Sequence, residues 1–147
     1  MQIRRLAPAD HALARGLFAT MAGVFGEDSD RLDDGYLARL LAREEFWAIA
    51  ALDGDRALGG LTAHTLPLTA TAASAVFLYD LAVRRDHQRR GIGRQLVQAL
   101  RDAAAAAGAG EVFVGADHGD AQALGFWRAL GGEATSATFY SFASSKA

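Results

Sequence analysis

Two neighbouring groups of residues have the types and spacing that chemistry requires. The first is Gln88-Arg89-Arg90-Gly91-Ile92-Gly93-Arg94. Glycines at 91 and 93 carry no Cβ, so the backbone there can come close to an anion. If a helix starts near Gly91, its first amides have no partner within it and point outward. The positive end of the helix dipole adds about 0.3–1 kcal/mol for a negative charge, and the arginines at 89, 90 and 94 add more. A basic turn with ordinary glycine punctuation would share this local sequence; an apolar strand before it and a long helix after it favour a phosphate cradle. The second group centres on Asp80, the one charge in the apolar run Ala75-Val76-Phe77-Leu78-Tyr79-Asp80-Leu81-Ala82-Val83. An unpaired buried carboxylate is costly. Asp80 is therefore either a proton acceptor or a structural acid that orients a ligand or satisfies nearby backbone. Asp117 and His118, at the end of a later strand, are further candidates. Asp117 could equally bind turn amides, and His118 could be an exposed loop residue.

Other chemistries find no support. The 147 residues include no cysteine, which removes disulfides, thiol nucleophiles and thiolate metal sites. The four histidines show no H-E-x-x-H spacing, and there is no G-x-S-x-G elbow. No metal is expected. His11 and His87 read as solvated, whereas His64 either borders a ligand site or sits satisfied within the sheet. The formal charge of -2 gives no basic footprint for nucleic acid, and the arginines at 84–94 suit a small polyanion better than a duplex. No apolar run approaches the ~18 residues that span a bilayer, and no signal peptide is visible. The expectation is a cytoplasmic protein with neither a membrane nor a nucleic-acid partner.

The elements that must position these residues follow from periodicity. A short strand at 3–6 precedes a helix that starts at Pro8 and presents Leu13, Leu17, Phe18 and Met21 to a core. The acidic loop 26–35 is either a solvated loop with capping acids or a lip that attracts a cation. A helix follows through Tyr36, Leu37, Leu40 and Leu41. Asp53-Gly54-Asp55-Arg56 marks a hairpin between strands at 46–52 and 57–66. The run to Val83 has the pattern of a central strand covered on both faces. The glycine loop then opens a long helix with a stripe of Ile92, Leu96, Val97 and Leu100, ended by Gly108 and Gly110. A strand at 111–116, a helix at 121–130 capped by Asp120, and a last strand at 137–142 complete the pattern, with a tail from Ser144. The order β-α-α-β-β-β-α-β-α-β predicts one α/β domain over 1–147, a mixed sheet with helices on both faces.

Leu81-Ala82-Val83 followed by Gln88-Arg89-Arg90-Gly91-Ile92-Gly93 resembles the acetyl-CoA signature of the GNAT N-acetyltransferases, Q/R-x-x-G-x-G/A after a strand. Within that superfamily, several pieces are similar to the gentamicin-type aminoglycoside 3-N-acetyltransferases: Val24-Phe25-Gly26-Glu27-Asp28, Tyr36-Leu37, Leu66-Pro67, Tyr79 to Val83 and Ala116-Asp117-His118-Gly119-Asp120. The resemblance implies the GNAT fold, with its two central strands splayed around the thioester. It implies acetyl-CoA as cosubstrate and coenzyme A as product, a cationic amine, here an aminoglycoside, as acceptor, and compatibility with a homodimer. The pyrophosphate would lie on amides from Arg89 to Arg94, next to Gln88, and the pantetheine arm would pair with the main chain of Leu81, Ala82 and Val83. Asp120 stands where the superfamily often has an asparagine that contacts pantetheine. Trp127 stands where many relatives have a tyrosine that protonates the leaving thiolate, and an indole N–H donates a hydrogen bond without being a proton source. Glu27, Asp28, Tyr79, Asp80, Asp117 and His118 would meet the acceptor.

The reaction needs a neutral amine, and deprotonating an ammonium costs about 1.4 kcal/mol per pH unit below its pKa. Asp80 is the first candidate to take that proton, directly or through water, and Asp117 the second. A backbone N–H near Val83 could hold the developing oxyanion. The alternatives are a GNAT enzyme for a polyamine, another small amine or a peptide N-terminus, and an acyl-CoA-binding module without catalysis.

Overall fold

The computed structural model describes residues 1–145. They form two compact units, Met1–Gly115 and the chain from Ala116 onward. The first contains β1 (Gln2–Arg5), a 3-10 turn (Pro8–Asp10), α1 (His11–Phe25), α2 (Asp34–Leu41), β2 (Phe46–Asp53), β3 (Arg56–Pro67), β4 (Ser74–Val83), a second 3-10 turn (Arg85–His87), α3 (Ile92–Ala106) and β5 (Ala109–Val114). The second contains α4 (Ala121–Ala129).

The sheet has five strands in the order β1-β2-β3-β4-β5. The first four are antiparallel to their neighbours, and β5 runs parallel to β4 after the crossover through α3. Alternation along β2 splits its side chains between two layers. Phe46, Ala48, Ala50 and Leu52 join Leu17 and Met21 of α1 and Leu37 and Leu41 of α2. The opposite face is covered by α3, which packs across β2 to β5 and buries Ile92, Leu96, Val97, Leu100 and Ala104. The mixed sheet with helices on both faces agrees with the architecture expected from the pattern.

Two glycines on β3 make this packing possible. A Cβ at Gly60 would stand 2.5 Å from Leu17 Cδ1 and 2.7 Å from the Ile49 carbonyl oxygen, and one at Gly59 would stand 2.6 Å from the Ala82 carbonyl oxygen. Helix α1 and strand β4 come this close because neither position has a side chain.

Apart from shifts of a residue or so at several ends, the structure departs from the sequence expectation in three places. The helix expected from Pro8 opens as a 3-10 turn, in which the Asp10 N–H bonds to the Ala7 carbonyl at 2.8 Å, and becomes α-helical at His11. The strand expected at 111–116 begins and ends two residues earlier. Gly108, at φ 89°, turns the chain out of α3, so that Ala109 already pairs with Ser74. The strand expected at 137–142 is absent: residues 133–145 have no regular structure, and no backbone hydrogen bond among the described residues starts beyond Gly132. A strand exists only where a neighbouring edge takes its N–H and C=O groups, and the sheet stops at β5. Of the tail expected from Ser144, residues 146 and 147 lie outside the described residues.

Candidate active site

The first feature of the site is a wedge between β4 and β5. Their ladder ends at Leu78↔Val114, so the rest of β4 has no partner on that side. On the other side, the Arg84 N–H donates to the Leu58 carbonyl at 2.8 Å. Continuing the register from that bonded pair, Gly59↔Val83 and Leu61↔Leu81 are the non-bonded pairs of the antiparallel ladder. Leu81 and Val83 therefore turn their N–H and C=O groups away from β3, into the wedge, while Ala82 spends its own on Gly60. The Gln88 side-chain amide reaches back to the Val83 carbonyl at 3.0 Å, which fixes the loop against the strand end.

The loop ends in a turn whose free amides could cradle an anion. Arg89 (φ 64°) and Gly91 (φ 79°) both take the left-handed conformation, and Gly91 is the N-cap of α3. The first intrahelical bond there runs from the Gln95 N–H to the Gly91 carbonyl at 3.0 Å. Among the described residues, no amide from Arg89 to Arg94 donates to another backbone carbonyl. These amides, including those of Ile92 and Gly93, are available to an external acceptor, and the side chains of Arg89, Arg90 and Arg94 are exposed around them. An open cleft of about 440 Å³ lies beside the loop, between Ala19, Thr20, Gly23 and Val24 of α1 and Arg84–Asp86.

The second feature is a bulge. Thr62 pairs with Asp80 and Ala63 with Leu78, so Tyr79 is an extra residue on β4. Two steps from Ala82, which belongs to the α1 layer, Asp80 faces that layer. The Tyr79 ring reaches the same layer, with its centroid 6.0 Å from that of His64 and 5.8 Å from that of Phe77. Burial, and then the charge of Glu27 at the start of the α1–α2 loop, push the Asp80 carboxyl above the usual carboxylate range, with no hydrogen bond acting to lower it. The reading of Asp80 as an acid satisfied by neighbouring backbone thus has no support from its surroundings.

An aromatic row crosses the sheet on this layer. Phe46, His64, Tyr79, Phe77 and Phe113 follow one another with centroid separations of 5.5, 6.0, 5.8 and 4.9 Å. A pocket of about 340 Å³ opens on it, with Arg43 and Glu45 also in its wall. The sequence reading did not link these residues. Their positions on four predicted strands were visible, but their alignment depends on the register and the bulge.

The acids of the α1–α2 loop divide. Asp33 is the N-cap of α2 and accepts from the Tyr36 N–H at 2.7 Å; Asp34 pairs with Arg15, which holds its carboxyl below the usual range. Both are committed to structure. Glu27 instead acts on Asp80 through its charge, and Asp28, its neighbour in sequence, is exposed.

Asp117, His118, Asp120 and Trp127 belong to the second unit. There the Asp117 carbonyl accepts from the Asp120 N–H at 3.0 Å, and the Asp120 carboxylate accepts from the Ala123 N–H at 3.0 Å, capping α4. This cap uses one Asp120 oxygen, where the resemblance implied a contact with a cosubstrate. The Trp127 ring lies edge-on to Phe126 at 4.8 Å, and its carbonyl accepts from the Gly132 N–H at 3.1 Å. Among the described residues no group of three or more His, Asp or Glu side chains is placed to hold a metal ion, and no helix is long and apolar enough to cross a membrane.

Residues 12–131 match the model of the acetyltransferase (GNAT) family. No curated protein sequence matches the chain. Among solved structures, it is similar to the aminoglycoside acetyltransferase meta-AAC0020 from an uncultured soil metagenomic sample, in complex with sisomicin. The identity is 32% and the TM-score 0.90, covering 97% of this chain and 96% of that one. The same enzyme is also known in complex with trehalose. The aminoglycoside acetyltransferase HMB0005, likewise from an uncultured soil sample, is 33% identical with a TM-score of 0.90, covering 97% and 98% of the two chains. Aminoglycoside N-acetyltransferase AAC(6')-Iy in complex with CoA shares the fold, with a TM-score of 0.80 at 19% identity over 97% and 93%.

Proposed function

The chain belongs to the acetyltransferase (GNAT) family, and on that premise we propose that it acetylates an aminoglycoside, at the 3-amino group of the central ring. The observation that carries this reading is the likeness, over nearly the whole of both chains, to two aminoglycoside acetyltransferases at 32% and 33% identity. One of them binds sisomicin. The choice of the 3-amino group rests on the sequence pieces shared with gentamicin-type enzymes, among them Tyr79 to Val83.

The residues present fit acetyl-CoA, which supplies an acetyl group activated as a thioester. The amides of Arg89 to Arg94 would hold its pyrophosphate, with Gln88 securing the loop, and the outward backbone groups of Leu81 and Val83 would pair with its pantetheine arm as an added strand does. The Val83 N–H, fixed in direction by the ladder to β3, would stabilise the negative charge that develops on the acetyl oxygen, an effect of about 3–4 kcal/mol for a preorganised donor.

Asp80 accepts the proton of the acceptor ammonium, directly or through one water. Its raised pKa brings it nearer the working pH, where a base is most effective. Glu27 and Asp28 attract the other ammonium groups, and the exposed Tyr79 ring gives the sugar a face to lie against. Asp117 and His118 are further acceptor contacts, and Asp117 is the second candidate base. Trp127 offers an indole donor and no proton, so the final protonation falls to water or to a tyrosine, Tyr79 or Tyr140.

Release of free thiol from acetyl-CoA, followed with gentamicin-like drugs, polyamines and peptides, tests the proposal. We expect turnover with 2-deoxystreptamine drugs and a product acetylated at the 3-amino group, identified by mass spectrometry and NMR. Turnover confined to polyamines or peptides, or acetylation at another amine, would overturn the corresponding part of the proposal.

A further inference from the structure

One pocket of the first unit has no part in binding the cosubstrate or taking the proton. It opens on the aromatic row, and its volume of about 340 Å³ lies at the small end of the ~300–1,000 Å³ typical of ligand sites. That is room for one ring of an acceptor, not for a whole drug. Phe46, Phe77 and Tyr79 line it, and His64 stands between Phe46 and Tyr79, 5.5 and 6.0 Å from their centroids. Walls of this kind cover the apolar faces of a ligand.

The polar groups in the wall are matched. Arg43 and Glu45 lie in the turn from α2 into β2, both exposed, and among the described residues neither is in an ion pair. A guanidinium only donates hydrogen bonds and a carboxylate only accepts them. A hydroxyl does both, so two hydroxyls on one ring satisfy Arg43 and Glu45 together. An ammonium offers nothing to Arg43 and a carboxylate nothing to Glu45, and each meets a like charge. The aromatic faces alone would also attract an ammonium; Arg43 is what turns the preference to a neutral ring. The two charges of the pocket offset each other, whereas Asp80 and the charge that acts on it, Glu27, are both acidic. Tyr79 joins the two regions, as the extra residue of the bulge next to Asp80 and as a wall of the pocket.

We propose that this pocket is a subsite for a neutral, hydroxyl-bearing sugar ring of the acceptor. The inference rests on the reading of Asp80 as the group that meets the reacting ammonium. The acceptor then lies across Tyr79, with its cationic ring at Asp80 and a neighbouring ring between Arg43 and Glu45. Arg43 becomes a specificity residue: an acceptor with a hydroxyl on that neighbouring ring is preferred to one with an amine there.

A sugar titration and steady-state kinetics test the proposal together. Methyl α-glucopyranoside should shift the NMR signals of His64 and Tyr79 in the wild type and leave them unmoved in Arg43→Met. The kinetic arm uses pairs of 2-deoxystreptamine drugs that differ only by a hydroxyl or an amine, one pair for each flanking ring. In one pair the wild type should have the lower KM for the hydroxyl form. Arg43→Met and Glu45→Ala should each raise that KM about tenfold or more, with kcat, the KM for acetyl-CoA and circular dichroism little changed, and Arg43→Glu should reverse the preference. Acceptor KM values unmoved by all three variants, or a hydroxyl form preferred in neither pair, would overturn the proposal. Its failure and that of the aminoglycoside reading are distinguishable. Sugar binding that needs Arg43, in a protein that turns over no aminoglycoside, would support the subsite and exclude the drug as acceptor. Aminoglycoside turnover that neither the sugar nor the variants affect would exclude the subsite alone.

Discussion

Tyr79 and Asp80 are adjacent in sequence yet face the same layer of the sheet, because the step from Ala63 to Thr62 on β3 spans two residues of β4. In a regular strand the two side chains would point to opposite faces. The bulge thus sets a carboxylate and an aromatic ring side by side where β4 leaves β5, at the mouth of the wedge.

Asp80 should govern the pH dependence of turnover. Burial first, and Glu27 second, raise its pKa above the usual carboxylate value. The basic form is therefore lost at a higher pH than for an ordinary aspartate, and kcat should rise with pH through that elevated pKa. Asp80→Asn should lower kcat about 10²- to 10⁴-fold and remove this limb of the profile, while the affinity for coenzyme A changes little. Glu27→Gln should shift the limb to lower pH by removing the neighbouring negative charge. An unchanged rate in Asp80→Asn would exclude it as the base.

Gly91 tests the anion cradle. Its φ of 79° costs an L-residue about 1–2 kcal/mol, although a Cβ there meets nothing within 4 Å. Gly91→Ala should accordingly lose up to about tenfold in coenzyme affinity. Gly91→Glu adds a carboxylate beside the proposed phosphate position and should raise the dissociation constant by more than about 100-fold, measured by titration calorimetry. Equal affinities for the wild type and the glutamate variant would show that the pyrophosphate does not lie on these amides.

Gly60 tests the seating of α1. A methyl group there collides with a Leu17 methyl and with the Ile49 carbonyl, and the latter cannot turn aside. Gly60→Ala should destabilise the fold by about 1–3 kcal/mol, lowering the melting temperature by about 3 °C per kcal/mol. Gly16→Ala, on a helix where a Cβ has no neighbour within 4 Å, should instead be neutral or stabilising, by up to about 1 kcal/mol. Equal melting temperatures for the two variants would contradict this account of the packing.

How much could be read in advance depended on how local the cause was. The strand, glycine loop and helix from 76 to 106 were legible because caps, φ preferences and apolar stripes act over a few residues. The five paired strands followed from short apolar runs bounded by turn residues, and the layers on both sheet faces from the order of the elements. The Tyr79 bulge was not legible, since register is a property of two strands and the extra residue shows only against β3. Pairing likewise decides residues 137–142: their composition favours a strand, but composition supplies no edge to pair with. Asp34 was counted among acids that could attract a ligand, whereas Arg15, 19 positions away, holds it. No short window reveals that contact.

A final prediction concerns acid stability. The Arg4 guanidinium grips Asp10 through two hydrogen bonds of 2.9 and 3.1 Å, and the Ala7 N–H donates to the same carboxylate at 2.8 Å. Arg4 first, and the Ala7 amide next, hold the Asp10 pKa below its usual 3.8. A carboxylate whose pKa is lowered by folding stabilises the native state fully above its unfolded pKa, and the contribution disappears as the pH falls through the folded value. Asp10→Asn keeps the shape and removes the charge. It should cost about 1 kcal/mol at pH 7, and urea unfolding of the two proteins should converge by about pH 2, where both side chains are neutral. A gap that stayed constant from pH 7 to pH 2 would assign the effect to packing at the start of α1 and not to the ion pair.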